Sequence, residues 1–369
     1  MSKSFNFFYP SIEGGGLEKN LFSLVNSLAK NKYKINFFTY EDNTYRKEFR
    51  DKFYFHRNIN VVTAKLIPGI THRFIKYFFC FIRLLISSFN QKGIIISFQG
   101  NILSIIAAKI LGRKIIIRCN QAPSKYINNS FKMIFYKFFY SLSDLILVTS
   151  KDFKKEMKKY FGLDCEIHKQ SLDINNIKIK SKMKINFNFF KKFKGLKIIN
   201  VGRLSFEKDQ ITLLKAFTKL LRYKKARLLI LGRGNEKKKL VNFIQKENIN
   251  NFVKIIPYTS NPFKYIFLSD VKVLTSKYEG NPNILLETAC LKKLIISSDC
   301  KVGPKEILQN GKGGILFKVE KFNELYLMLR RLNLKSKEIK KKIENSYWYV
   351  KKNYQKDNSQ NFINLIEKI

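Results

Sequence analysis

The chain has 369 residues, 45% hydrophobic and 27% charged, with 71 Lys and Arg against 27 Asp and Glu for a formal net charge of +44. That apolar content excludes a disordered chain, the length favours two domains, and no run of about 20 uncharged apolar residues reads as a spanning helix. The five cysteines (Cys80, Cys119, Cys165, Cys290 and Cys300) form no C-x-x-C pair, so neither a disulfide framework nor a zinc site is expected. The first ten residues lack the apolar core and small-residue cleavage site of an export signal, so the cytosol is the expected compartment.

In chain order, Phe5–Tyr9 reads as a strand, followed by a glycine-rich turn and a helix from Leu17 to Lys30. Ile35–Thr39, Asn60–Thr63, Gly93–Ser97, Lys114–Arg118 and Leu145–Thr149 read as further strands. Several are continuous apolar runs, as in a parallel sheet covered on both faces. The stretch from Ile174 to Phe206 contains no acidic residue and has weak periodicity. A second alternation follows. Lys197–Val201, Arg227–Leu231, Val253–Ile256, Val271–Leu274 and Leu294–Ser297 read as strands, and Gln210–Arg222, Glu236–Lys246, Ile284–Leu291 and Phe322–Leu332 as helices. Tyr347–Ile369 trails as a last helical piece. The reading is α/β, with two domains of similar size at 1–171 and 172–345 and a C-terminal helix at 346–369.

Arg203 and Lys208 fall on a strand-to-helix loop, with Asp209 placed to cap the helix that follows. Open α/β sheets bind ligands at this edge, and two cations beside a helix N-terminus suit a diphosphate. The alternative is two solvated basic residues. In Glu279–Glu287, Pro282 fits the first turn of a helix with Asn281 as its cap, leaving the N–H groups of Asn283 and Ile284 free. Glu279 and Glu287 then flank a crevice where carboxylates can grip sugar hydroxyls; a capped helix with one surface Glu is the alternative. Glu13–Glu18 holds three glycines that let the backbone approach a ligand, but it is not G-x-G-x-x-G.

These residues resemble the retaining glycosyltransferases of family 4, with the two-domain GT-B fold, and the bacterial surface-glycan subgroup in particular. The resemblance rests on Gly14–Gly16, on G-R-L-x-x-x-K at Gly202–Lys208 and on L-I-L-G-x-G at Leu229–Gly234. It also rests on E-G-x-P-N-x-L-L-E at Glu279–Glu287 and on Gly303–Ile307 followed by Asn310 and Gly311. It implies two facing Rossmann-like domains with a cleft between them and the C-terminal helix returning to the first. It implies a nucleotide-sugar donor, UDP-linked, and transfer of a hexose or N-acetylhexosamine to a lipid-linked glycan with retention. It further implies that Arg203 and Lys208 hold the diphosphate, that Glu287 binds the ribose and that Glu279 faces the sugar. Gly280, Asn281, Asn283 and Ile284 would meet the sugar and distal phosphate, Tyr258 would lie near the base, and Gly16 near the donor phosphate. Many relatives carry a His where Cys119 stands here, so Arg118 and Asn120 become the acceptor-side candidates, with Cys119 read as a buried thiol. The sequence has no Asp-x-Asp, so no metal and no other cofactor is expected, and Arg203 and Lys208 take over charge neutralisation.

The charge excess accompanies an excess of Asn, Ile and Phe in every region, as an AT-rich coding sequence produces without any polyanionic partner. An anionic membrane surface can still use it, at roughly 1 kcal/mol per Lys or Arg near the lipid. On a helix, Arg73, Lys76, Cys80, Arg83 and Ser87 form one narrow polar stripe on an otherwise apolar surface, and Phe131–Tyr140 adds a second aromatic stretch. Peripheral association with the inner face of the cell membrane is therefore expected, and nucleic acid is not. Two rival functions remain: a sugar-nucleotide epimerase on the same fold, and a basic binding module for nucleic acid or an acidic polymer.

Overall fold

The computed structural model describes residues 4–12, 16–41, 55–65, 72–89, 93–355 and 359–369. The chain forms two compact units, Met1–Ser171 with Asp357–Ile369, and Leu172–Lys356.

The first unit holds strands β1 (Ser4–Phe8), β2 (Lys34–Thr39), β3 (Ile59–Thr63), β4 (Ile94–Ser97), β5 (Ile115–Arg118), β6 (Leu145–Val148) and β7 (Glu166–Ile167). They form one parallel sheet in the order β3-β2-β1-β4-β5-β6-β7. Consecutive residues such as Ile115, Ile116 and Ile117 are buried, which accounts for unbroken apolar runs in place of alternation. The helices are α1 (Gly16–Lys30), α2 (Arg73–Ser88), α3 (Asn101–Ile110), α4 (Ser130–Ser141) and α5 (Lys151–Phe161). Helix α5 starts where the Ser150 hydroxyl accepts from Phe153 N–H at 3.2 Å and stops at Gly162.

The second unit repeats the plan. Its strands are β8 (Leu196–Val201), β9 (Ala226–Leu231), β10 (Val253–Ile256), β11 (Val271–Leu274), β12 (Leu294–Ser298) and β13 (Ile315–Phe317). The parallel sheet order is β10-β9-β8-β11-β12-β13. Its helices are α6 (Ile174–Ser181), α7 (Gln210–Leu221), α8 (Lys237–Lys246), α9 (Phe263–Leu268), α10 (Asn283–Cys290), α11 (Pro304–Ile307), α12 (Phe322–Arg331) and α13 (Lys337–Tyr354). Period-two alternation sends Ile198, Val271, Val273 and Ile296 to a core with Leu213, Phe217 and Leu329. It sends Ile199, Leu274 and Ile295 to the opposite core with Leu285, Leu286 and Val350. Strand order reverses between β8 and β11. Those two strands pair only at Ile198 with Val271 and at Ile199 with Lys272, although β8 stays paired with β9 as far as Val201. They therefore part toward their C-terminal ends, where a ligand crevice forms in such sheets.

The C-terminal segment differs from the expected single returning helix at 346–369. Residues 346–354 are the second half of α13 and belong to the second unit, because Tyr347, Val350 and Tyr354 recur at helical spacing and bury there. Only the last helix, α14 (Ser359–Ile366), joins the first unit. Its Phe362, Ile363 and Ile366 enter that core, and Ser27 Oγ lies 3.0 Å from Ser359 Oγ.

Candidate functional site

The loop after β8 is held from both sides. Gln210 Nε2 donates to Arg203 O at 2.8 Å, and Thr275 Oγ1 donates to Lys208 O at 2.9 Å. Asp209 stands at the N-cap of α7 with a left-handed φ of +46°, and its carboxylate accepts from the Thr212 hydroxyl at 2.7 Å. Burial raises the Asp209 pKa. So fixed, Lys208 reaches across the parting of the strands and donates to Glu279 Oε1 at 2.6 Å. Ser276 Oγ donates to the same oxygen at 2.6 Å. Arg203 points outward, its side chain 67% exposed and 3.2 Å from Glu207.

The loop after β11 carries Glu279, Gly280, Asn281, Asn283 and Ile284, all half-buried. Pro282, not Asn281, takes the N-cap position of α10, and Asn283 is its first residue. The Asn281 side chain instead donates toward the Tyr354 hydroxyl of α13. Glu287 lies inside α10 and is buried. Tyr258, after β10, stands with the Arg233 guanidinium 5.4 Å from its ring centre.

Two glycines make these loops possible. A Cβ on Gly232 would lie 1.9 Å from Gly202 O, so the loops after β8 and β9 touch through bare backbone. Gly303, at φ +98°, places the loop after β12 against Gly280 and Pro282, where a Cβ would lie 2.5 Å from Gly280 O. All of these groups sit at the C-terminal edge of one parallel sheet.

Residues 182–347 match the family model described as glycosyl transferases group 1. That match lies within the second unit. An uncharacterized glycosyltransferase of Methanocaldococcus jannaschii is 35% identical over 178 residues, which is 47% of this chain and 44% of that one. The Campylobacter jejuni N-acetylgalactosamine-N,N'-diacetylbacillosaminyl-diphospho-undecaprenol 4-alpha-N-acetylgalactosaminyltransferase is 28% identical over 237 residues, covering 62% of this chain and 63% of that one. The matches thus span less than two thirds of these curated relatives. The crystal structure of Anabaena Alr3699/HepE in complex with UDP and glucose covers 100% of both chains with a TM-score of 0.79 at 14% identity. The fold is that of GT-B glycosyltransferases, built from two Rossmann-like domains.

Within the second unit, the structure brings Lys208 and Glu279 into contact, and it lays Arg203, Tyr258 and the start of α10 along the same sheet edge. Three participants escaped the sequence reading. Ser276 holds Glu279. Lys272, in the middle of β11, is 0% exposed. Cys300, after β12, has its thiol pushed up to about 12 by burial, with Glu279 adding to the shift and Lys208 opposing it. The signal for Lys272 was present in V-K-V-L, a lysine inside a strand otherwise apolar on both faces.

The first-unit candidates are separate. Gly16 opens α1, while Gly14 and Gly15 lie outside the described residues. Arg118 ends β5, is 2% exposed and stacks over Phe98 at 5.0 Å, and burial lowers it to about 10. Asn120 is half-buried and donates to Phe98 O at 2.7 Å. Burial also raises the Cys119 thiol far above the ordinary range.

Proposed function

We propose that the protein is a glycosyltransferase that moves a hexose or N-acetylhexosamine from a UDP-sugar to a lipid-linked glycan in surface-polymer assembly, with retention and without a metal. The observation that carries this reading is the Lys208–Glu279 contact at the strand-order reversal of the second unit, within the group 1 match. Arg203 and Lys208 grip the diphosphate, the opening N–H groups of α10 meet the distal phosphate and sugar, Glu279 orients the hexose, and Glu287 takes the ribose. As the anomeric bond breaks, its electron pair goes to the diphosphate oxygen. Fixed cations and N–H groups aid that step only so far as they bind the departing charge better than the intact donor. The names of the relatives support the acceptor class: the Campylobacter enzyme acts on a diphospho-undecaprenol glycan. For the acceptor side we favour Asn120 over Arg118, which is buried.

The same reading places the enzyme at an anionic membrane surface. No helix among the described residues is long and apolar enough to cross a membrane. Helix α2 turns part of its polar stripe inward and keeps Arg73 and Arg83 exposed. Lys76 pairs with Glu41 at 2.7 Å, and Cys80, Leu84 and Ser88 face the core, while Phe74, Phe78, Ile82 and Ile86 face solvent. Helix α3 packs on α2 and α4 on α3. Helix α4 exposes Phe131, Ile134, Phe135 and Phe138. Between Asp51 and Asp144 the sequence has fourteen Lys and Arg and no Asp or Glu. An apolar face carried on a segment whose charged residues are all basic suits insertion among anionic headgroups.

Incubation with a panel of nucleotide sugars and a lipid extract, read as nucleoside diphosphate release, tests the reaction. Release with a UDP-sugar that needs the lipid acceptor and persists in chelator is expected. Conversion of the donor without acceptor would replace transfer by epimerisation.

A further inference from the structure

The second unit buries an amine beneath its candidate diphosphate seat. Lys272 shares a strand face with Leu274, and its lateral neighbours on that face are Ile199 of β8 and Ile295 of β12, both in the apolar core. The parting of β8 and β11 leaves Val273 O without a ladder partner from β8. Two side chains satisfy it instead: Asn200 Nδ2 at 3.0 Å and Lys272 Nζ at 3.0 Å. The amine therefore ends at the floor of the crevice. The charged groups that act on it are Lys208, from the loop after β8, and Glu279, from the loop after β11. Helices α6, α9, α10, α11 and α13 line this core, and their charged and titratable side chains, Lys178, Lys264, Glu287, Cys290, Glu306, Lys351 and Tyr354 among them, do not rank among the groups acting on it. Among the described residues no carboxylate forms an ion pair with Lys272. Burial holds its pKa down at about 7, Lys208 adding to the depression and Glu279 opposing it.

A fully buried amine in a strand centre is costly when charged and has no packing advantage over methionine. Its position suggests a use. In the free protein Glu279 is neutralised by Lys208 at 2.6 Å. When Lys208 turns to a diphosphate, Glu279 loses that partner, and Lys272, at the end of the same crevice and already within the field of Glu279, is a buried group that can carry a compensating positive charge.

We propose that Lys272 is a positioning residue for the donor: seating a diphosphate on Arg203 and Lys208 draws one proton from solvent onto the Lys272 amine, and the resulting ammonium replaces Lys208 in balancing Glu279. This rests on the donor reading above. Only an N–H bond forms, and the proton comes from the buffer.

The sign follows from linkage. Below its free-state pKa the amine is already protonated and binding takes up nothing. Above it, binding must recruit a proton, so affinity falls as pH rises. The test is calorimetry of UDP binding to the full-length protein at about pH 8, in two buffers of different ionisation enthalpy. Uptake of roughly one proton, with affinity weakening by up to about tenfold per pH unit above neutrality, is expected for the wild type. Lys272→Met keeps the volume and removes the amine. It should melt no lower than wild type, bind UDP without proton uptake and lose that pH slope. Lys272→Gln should do the same. Equal proton uptake by wild type and a folded variant overturns the proposal while leaving the donor site intact. Failure of the wild type to bind UDP overturns the donor reading itself, and this proposal with it.

Discussion

Lys208 Nζ lies 2.6 Å from Glu279 Oε1, although 71 residues separate them along the chain. The contact joins the two loops that follow β8 and β11, at the point where strand order reverses. Glu279 accepts from Ser276 as well, so the carboxylate is held by two donors before any ligand arrives.

Arg203→Ala and Lys208→Ala should separate function from folding. Arg203 is largely exposed and its pair with the half-buried Glu207 is an i,i+4 contact reached by solvent on the arginine side, so its loss costs little stability. Each variant should lower turnover about 10²–10³-fold, by analogy with deletion of a single transition-state donor. Near-normal product release from both, in protein that melts like wild type, removes them from the diphosphate site.

Gly232→Ala should damage the site through the backbone. The added methyl would sit 1.9 Å from Gly202 O, so the loops after β8 and β9 must move apart. The expected result is a lower melting temperature, together with a loss of turnover that added donor does not rescue.

For the apolar face of the first unit, Phe78→Glu with Phe138→Glu should abolish flotation with anionic liposomes at low salt and leave donor hydrolysis unchanged. Both side chains are exposed, so the fold loses little by the change. Retained flotation would assign membrane binding elsewhere on the protein.

All five cysteines are buried, and burial raises each thiol, Cys290 and Cys300 to about 12. A thiol reagent at about neutral pH should therefore label none of them in the native protein and all five after denaturation, since the thiolate is the reacting form. Rapid native labelling at Cys119 would give that residue a chemical role.

Lys272→Met should also alter stability against pH. The folded-state pKa is depressed to about 7, so between that pH and the ordinary lysine range the unfolded chain binds more protons. Wild-type stability therefore gains a rising contribution as pH increases through this window, and loses it again toward acid. The variant lacks that dependence and should be the more stable of the two below pH about 7. Parallel denaturation curves at several pH values for both proteins decide it.

The longer strands and the starts of helices such as α1, α7 and α12 were legible in the sequence because they depend on local runs. Continuous Ile and Phe segments form buried parallel strands, and Gly or capping residues end them. Strands β7 and β13 and helices α3, α5, α6, α9 and α11 were not anticipated, and α13 was divided wrongly. In α13 the Lys-rich first half hides the Tyr347, Val350 and Tyr354 stripe that docks it to the second unit. The orientation of α2 was also beyond a periodicity argument. Its stripe of Arg73, Lys76, Cys80, Arg83 and Ser87 is split by the fold: Lys76 pairs inward with Glu41 and Cys80 is buried, while Arg73, Arg83, Phe74 and Phe78 are exposed.

The sequence alone determined that this is a two-part α/β chain with cations and carboxylates on loops that follow strands, because motif spacing and strand periodicity are properties of consecutive residues. Tertiary structure alone decided that Lys208 meets Glu279, that Asn281 serves Tyr354 rather than α10, and that Lys272 ends beneath the crevice. Those outcomes depend on where β8 and β11 part company, and that separation is set by the order in which distant strands pair within the sheet.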